Sequence, residues 1–158
     1  MAGDEVAVLP DLLHLRREVA VVEGDVQAAV VAGPGDAPAA GGGTRPHPGR
    51  PGEQILGLAR FIAEGLPAIS HRGCPFINSI AELPDRSDPA RQVIEEHKAR
   101  QLRRLVAMCA EARLPDPAQT AAEITFVLEG AQVCAQNGSV DQAGERLMRI
   151  VEGIVSRS

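Results

Sequence analysis

The sequence predicts an all-α protein, and three observations predict it. Beyond residue 53, apolar residues recur at intervals of three and four, the spacing of one face of a helix. Two Asp-Pro pairs, Asp88-Pro89 and Asp116-Pro117, each open a long periodic segment, which suits a carboxylate cap followed by a proline whose missing N–H is not needed there. The chain of 158 residues holds three Phe and no Trp or Tyr, so its core must be built from small aliphatic side chains, as helix-on-helix packing allows.

Taken in order, residues 1–32 form an amino-terminal segment of uncertain fold. Leu12-Leu13 and Val19 to Val22 suit either a helix or a strand, and Gly24 and Gly33 interrupt both. Residues 33–52 hold seven Gly and five Pro, too little apolar surface to offset backbone entropy, and read as a linker. The remainder, 53–158, is the helical domain. A first helix over 53–65 carries Ile55, Leu58, Ala59 and Ile62 on one side and stops at Gly65, ahead of Pro67. A short helix runs from Pro75 to Glu82. The third spans 89 to about 113 and the fourth 117 to about 137. The fifth, 139 to about 156, opens on Ser139-x-x-Gln142, the spacing of a capping box, after the turn signal Asn137-Gly138.

The last two helices differ in their faces. Val140, Ala143, Leu147, Ile150, Val151, Ile154 and Val155 lie on one stripe of the fifth, opposite Glu145, Arg149 and Glu152. The fourth is apolar in nearly every direction, through Ile124, Phe126, Val127, Leu128, Ala131, Val133, Cys134 and Ala135. A helix of that kind needs burial on more than one side, which a symmetric dimer supplies.

Composition narrows the function. Sixteen Lys and Arg against 21 Asp and Glu give a net charge of −5, which opposes a phosphate backbone, and the near absence of aromatics removes the stacking platforms that single strands need. Lys98, Arg100, Arg103 and Arg104 are interspersed with Glu95, Glu96 and Glu111 and read as a solvated helix face. Cys74, Cys109 and Cys134 form no Cys-x-x-Cys pair, which fits a reducing cytoplasm. Asp4 and Glu5 stand where a secretory signal carries basic residues, and no apolar run reaches the ~18 residues of a membrane span, so a soluble cytoplasmic protein without membrane partners is expected. His71 and Cys74 have a His-x-x-Cys spacing, but nothing nearby completes a metal's ligand set. Nucleotide-binding and hydrolase motifs are missing, so no cofactor and no catalysis are expected.

The run Arg72-Gly73-Cys74-Pro75-Phe76-Ile77-Asn78, then Ala81-Glu82 and Pro84-Asp85, is similar to a signature in one branch of TetR-type transcriptional regulators. That signature precedes a long charged helix and a Leu-x-Gly-Ala-x-x-x-Ala-Gln segment, which Leu128-Glu129-Gly130-Ala131-Gln132-Val133-Cys134-Ala135-Gln136 resembles. The resemblance spans about 53 to 156. It implies a TetR-like carboxy-terminal domain of about five helices that binds an effector and dimerises through its last two helices as a four-helix bundle. The dimer contacts are then expected from Ile124, Leu128, Ala131, Ala135, Leu147, Ile150, Val151 and Ile154.

On the third helix, His97 and Gln101 sit one turn apart at the edge of the stripe made by Val93, Ile94, Leu102, Leu105, Val106 and Cys109. Two readings stand. In one, His97 and Gln101 are the ligand-binding anchors of a small apolar effector, with walls from Phe61, Phe76, Ile80, Met108 and Phe126. In the other, His97 is a core histidine bonded to a carbonyl, Gln101 reaches solvent and the Phe and Met residues are ordinary core.

The family's amino-terminal helix-turn-helix reads operator DNA. Residues 1–52 show no three-helix pattern and no basic recognition helix in this sequence. The codons for Leu12 to Gly24, read one base later, permit Tyr-Phe-Thr-Phe-x-Glu-Lys-Ser-Arg-Leu-Leu-Lys-Ala, similar to the run that closes the family's recognition helix. Residues 1 to about 50 therefore read either as out-of-frame translation or as a divergent amino terminus. Two functions follow: the sensor domain of a repressor, with operator DNA a partner only if a headpiece is present, or a dimeric interaction module deficient in DNA binding.

Overall fold

A computed structural model of the chain describes residues 50–69 and 74–157. The expected amino-terminal segment, nearly all of the expected linker, and His71 of the His-x-x-Cys pair lie outside the described residues. Among the described residues the chain is all helical, with five helices: α1 (Pro51–Ile69), α2 (Pro75–Glu82), α3 (Pro89–Glu111), α4 (Pro117–Asn137) and α5 (Ala143–Val155).

The proline starts hold. Asp88 accepts a hydrogen bond from the Ala90 amide at 2.7 Å, and Asp116 accepts one from the Gln119 amide at 3.2 Å, so each carboxylate caps the helix that its following proline opens. Between α2 and α3, the Asp85 carboxylate accepts from the Ser87 amide at 2.8 Å and its hydroxyl at 2.7 Å, which holds the Asp85 carboxyl below its usual range.

Two boundaries differ from the sequence reading. Helix α1 begins at Pro51, inside the expected linker, and does not stop at Gly65 but runs through Pro67 to Ile69. Proline at 67 has no N–H to give the Ala63 carbonyl one turn earlier. That oxygen lies at the crossing with α5, 3.0 Å from where a Cβ on Gly144 would stand. The helix is thus retained by packing where propensity would end it. The second difference is the capping box. Helix α5 starts at Ala143 with Gln142 as its cap, in the left-handed region at φ 56° and with no side-chain cap bond. Gly138, at φ 65°, ends α4, and the Asn137 carboxamide accepts the Ser139 amide at 2.8 Å. Arg146 Nε donates to the Asp141 carbonyl at 2.9 Å, so the segment 139–142 closes as a turn. Val140 is left outside the helix and 38% exposed.

Helices α1, α3, α4 and α5 each pack on at least two of the others, and α1 with α5 is the most extensive pair. Their shared core contains Ile55 and Ala59 of α1, Leu105 and Cys109 of α3, Ile124 and Leu128 of α4, and Leu147 and Val151 of α5. Among the described helices, α2 packs on α3 alone. A second apolar cluster joins them, made by Cys74, Phe76, Leu83 and Ile94.

Helix α3 ends in two crossed bonds: the Leu114 amide donates to the Cys109 carbonyl and the Arg113 amide to the Ala110 carbonyl, both at 3.0 Å. This Schellman geometry turns the chain back so that Leu114 is buried, and it needs a left-handed residue at position 113. Arg113 fills it at φ 57° and is exposed, so its side chain contributes little to offset the strain. Arg113→Gly is therefore expected to stabilise the domain by about 0.5–1 kcal/mol, the left-handed penalty less the entropy that glycine adds to the unfolded chain. Thermal denaturation should show a melting temperature raised by a few degrees, and a lowered one would show that Arg113 makes contacts that matter.

Candidate functional site

One stripe of α3 links the two apolar clusters. Ile94 belongs to the α2/α3 cluster, while Leu105, Met108 and Cys109 belong to the main core. Between them along the helix come His97 and Gln101. His97 is 0% exposed and its Nε2 is sealed from solvent. Its ring meets Phe76 with centroids 4.8 Å apart and planes tilted by 44°. Ile80 packs against the same cluster, and Gln101 follows His97 half-buried. The structure therefore brings Phe76, Ile80 and His97 together, with Gln101 one turn along and Met108 beyond it in the main core.

Two of the expected walls lie elsewhere. Phe126 is 77% exposed, because α4 buries the stripe Ala121, Ile124 and Leu128 and turns Phe126 away from it. Phe61 is 39% exposed, since α1 buries Ile55, Ala59 and Leu66 instead.

The expected dimer contacts also need correction. Ile124, Leu128, Leu147, Val151 and Ile154 are all buried within the single subunit, where α1 and α3 cover them. A partner cannot reach them without opening the core. Ala131 and Ala135 are half-buried, and Ile150, 48% exposed, is the expected contact that stays on the surface. The sequence pattern identified an apolar stripe correctly but does not say whether its own chain or a second copy covers it. What the subunit leaves bare is the other side of α4, with Phe126 at 77% and Val133 at 41%. Gly130 between them and Gly153 on α5 have open space where a Cβ would project.

The sequence reading missed one cleft. An open depression of about 630 Å³ lies where the carboxy end of α1 meets the α4–α5 turn, between Arg60, Glu64, Pro67, Asp141, Glu145 and Met148. None of the seven expected ligand-binding residues lines it. The signal for it was the pair of features that sequence rules misread, Pro67 and the Ser139 to Gln142 turn.

Charged contacts tie helices together at the margins. Lys98 Nζ lies 3.1 Å from Glu129 Oε1, joining α3 to α4, and Arg157 Nη1 lies 3.0 Å from Glu123 Oε2, joining the end of α5 to α4. All four side chains are more than a quarter exposed, so these pairs contribute at most about 1 kcal/mol each. Arg100 and Arg103 are exposed, whereas Lys98 and Arg104 of the same expected face are half-buried. Among the described residues no three His, Cys, Asp or Glu side chains come together as a metal site, and no helix is long and apolar enough to cross a membrane.

Residues 58–151, more than half of the chain, match the family model of the tetracyclin repressor-like C-terminal domain. The chain belongs to the TetR family. Among solved structures, the fold resembles the crystal structure of a TetR-family transcriptional regulator from Streptomyces coelicolor, with a TM-score of 0.72 at 23% sequence identity. The likeness covers 92% of this chain and 64% of that one, so this TetR chain spans less than two thirds of its structural neighbour. No curated protein matches its sequence.

The thiols of this TetR domain differ in environment. Cys109 is fully buried, and desolvation pushes its thiol up from the ordinary value of 9.0. A raised thiol favours the neutral form in the fold, so its contribution to stability is present below about pH 9.0 and is lost as pH rises beyond it. Cys74 is buried and Cys134 half-buried. An aromatic disulfide reagent at pH 8 is expected to label Cys134 in the native protein and Cys109 only on unfolding. Cys134→Ser should remove the fast phase; fast labelling of Cys109 in that variant would contradict its burial.

Proposed function

We propose that the chain is the effector-sensing and dimerisation part of a cytoplasmic TetR-type repressor, and that its effector is small and largely apolar. The observation that carries this reading is the division of α4 into two apolar faces. One holds Ala121, Ile124 and Leu128 in the subunit core; the other presents Phe126 and Val133 with Gly130 between them. Burying an exposed Phe contributes about 2–3 kcal/mol, a reason for such a face to be covered. A second copy covers it with the same surface under two-fold symmetry, and Ile150 and Gly153 of α5 extend the patch. Bare glycines let two backbones approach closely. The dimer face is thus built from Phe126, Gly130, Val133, Ile150 and Gly153, a different set from the buried stripe.

The effector reading rests on the seam between the two clusters. A buried imidazole against Phe76, with Gln101 on the next turn, gives a largely apolar site a small number of polar groups to orient a ligand. Phe76, Ile80, His97, Gln101 and Met108 are the residues assigned to it. Operator binding belongs to this reading only with a helix-turn-helix headpiece. The sequence of residues 1–52, which lacks that pattern, favours a second reading in which the chain pairs but binds no DNA, as a displaced reading frame would produce.

Three measurements test these statements. Light scattering at micromolar concentration should give a dimer, and Phe126→Glu should give a monomer that keeps its helical circular dichroism, because Phe126 is exposed in the subunit; a monomeric wild type would sink the dimer. The neutral dye N-phenyl-1-naphthylamine should bind saturably, several-fold more weakly in Gln101→Ala and equally well in Phe126→Ala; equal weakening in both would remove the site from the seam. In a gel-shift assay, sequence-specific operator binding by this chain would eliminate the second reading, and dimerisation without binding would eliminate the first in its full form.

A further inference from the structure

Helix α2 differs from the other four in how it is held. Among the described residues it packs on α3 alone, and at eight residues it is too short to be stable by itself. Its amino end has no side-chain cap, since Cys74 occupies that position. Its carboxy end is held from outside. Arg91, near the start of α3, reaches back so that Nη1 donates to the Leu83 carbonyl at 2.6 Å and to the Ile80 carbonyl at 3.3 Å. These carbonyls belong to the last turn of α2 and its cap, where backbone oxygens have no partner within the helix and a cation meets the negative end of the dipole. The Arg91 side chain is 18% exposed, so these bonds are well shielded from water.

The same guanidinium has a second anchor on its own helix. Arg91 Nε donates to Glu95 Oε1 at 2.8 Å, and Arg86 Nη2 lies 3.9 Å from that oxygen. If α2 moves away from α3, the bonds to Ile80 and Leu83 break, but the bond to Glu95 remains because both residues lie on α3. The guanidinium is then still aimed at the place where α2 returns. Under α2 lies His97, fully buried against Phe76. A molecule approaching His97 from that side meets α2 first.

We propose that α2 is the lid of the effector site and that Arg91, held ready by Glu95, is its latch. The proposal rests on the assignment of the effector site to the seam around His97. Lifting α2 uncovers Phe76, Ile94 and His97 together while leaving the four-helix core of α1, α3, α4 and α5 in place, since α2 adds nothing to that core. Opening therefore costs the small cluster and the latch rather than global unfolding.

Hydrogen exchange and dye kinetics on the full chain test it. Arg91→Ala removes the latch. Arg91→Lys keeps the charge, but its point-like ammonium cannot reproduce the planar fork that spans Glu95, Ile80 and Leu83. Loss of charge-assisted bonds to two terminal carbonyls should speed exchange of the α2 amides about ten-fold in Arg91→Ala and less in Arg91→Lys, with the core amides of α3 around Leu105 unchanged. The association rate of N-phenyl-1-naphthylamine should rise in the same order. Unchanged α2 exchange in both variants would overturn the latch, and faster exchange with unchanged dye association would overturn the lid. Faster exchange throughout the core would show that Arg91 supports the whole domain rather than α2. If the dye binds none of the three proteins, the effector assignment fails and the lid with it, while the exchange rates still decide whether Arg91 holds α2.

Discussion

The arrangement of the subunit depends on how closely α1 can approach α5. At their crossing the Ala63 carbonyl faces Gly144, and a Cβ there would stand 3.0 Å from that oxygen. Pro67 leaves the same carbonyl without its usual helical donor, and Gly144 leaves room for the neighbouring backbone. Near the other end of α1, Gly52 is nearly as restricted, 3.2 Å from Val155 in the same sense. With both ends of the pair fixed, Ile55 and Ala59 meet Leu147 and Val151 in the core, and α3 and α4 are set against a surface already formed. A side chain at position 144 would push α5 outward and loosen every layer above it.

From that frame the core divides unequally. The large cluster belongs to four helices that support one another; the small one belongs to α2 and the first half of α3. The proposed function follows the division. The stable part presents the bare face of α4, and a rigid face suits a permanent contact. The less supported part surrounds His97, where the effector is proposed to bind, and such regions suit a ligand site because something must move to admit the ligand.

How much of this was legible in the residues depends on which physics decides each feature. Local rules sufficed for the Asp88-Pro89 and Asp116-Pro117 starts and for the Asn137-Gly138 turn, because caps and left-handed glycine act over a few residues. They failed at Pro67 and at Ser139, where a tertiary contact and a competing Asn137 bond outweighed the local signal. The fourth helix reads as apolar in nearly every direction and the stripe of the fifth as starting at Val140, yet Ile124, Leu128, Leu147, Val151 and Ile154 turn inward, Phe126 faces outward and Val140 lies outside the helix, since periodicity indicates faces without naming what covers them. His97 and Gln101 read as the edge of the α3 stripe, whereas His97 is fully buried and Gln101 half-buried. The Arg91 contacts, eight and eleven residues back along the chain, carry no sequence pattern that would have revealed them.

Four of the five helices begin on proline, and before three of them, α2, α3 and α4, the preceding residues Cys74, Asp88 and Asp116 all adopt non-helical torsions. A helix opened in this way has a hard stop behind it, because the proline ring disfavours helical geometry in the preceding residue. It cannot recruit a turn from the upstream loop, and its register along the chain is fixed from that end. Lengthening of α2, α3 and α4 is therefore confined to their carboxy termini, so that each behaves as a zip with one sewn end. Any lengthening of these three helices runs in a single direction along the sequence.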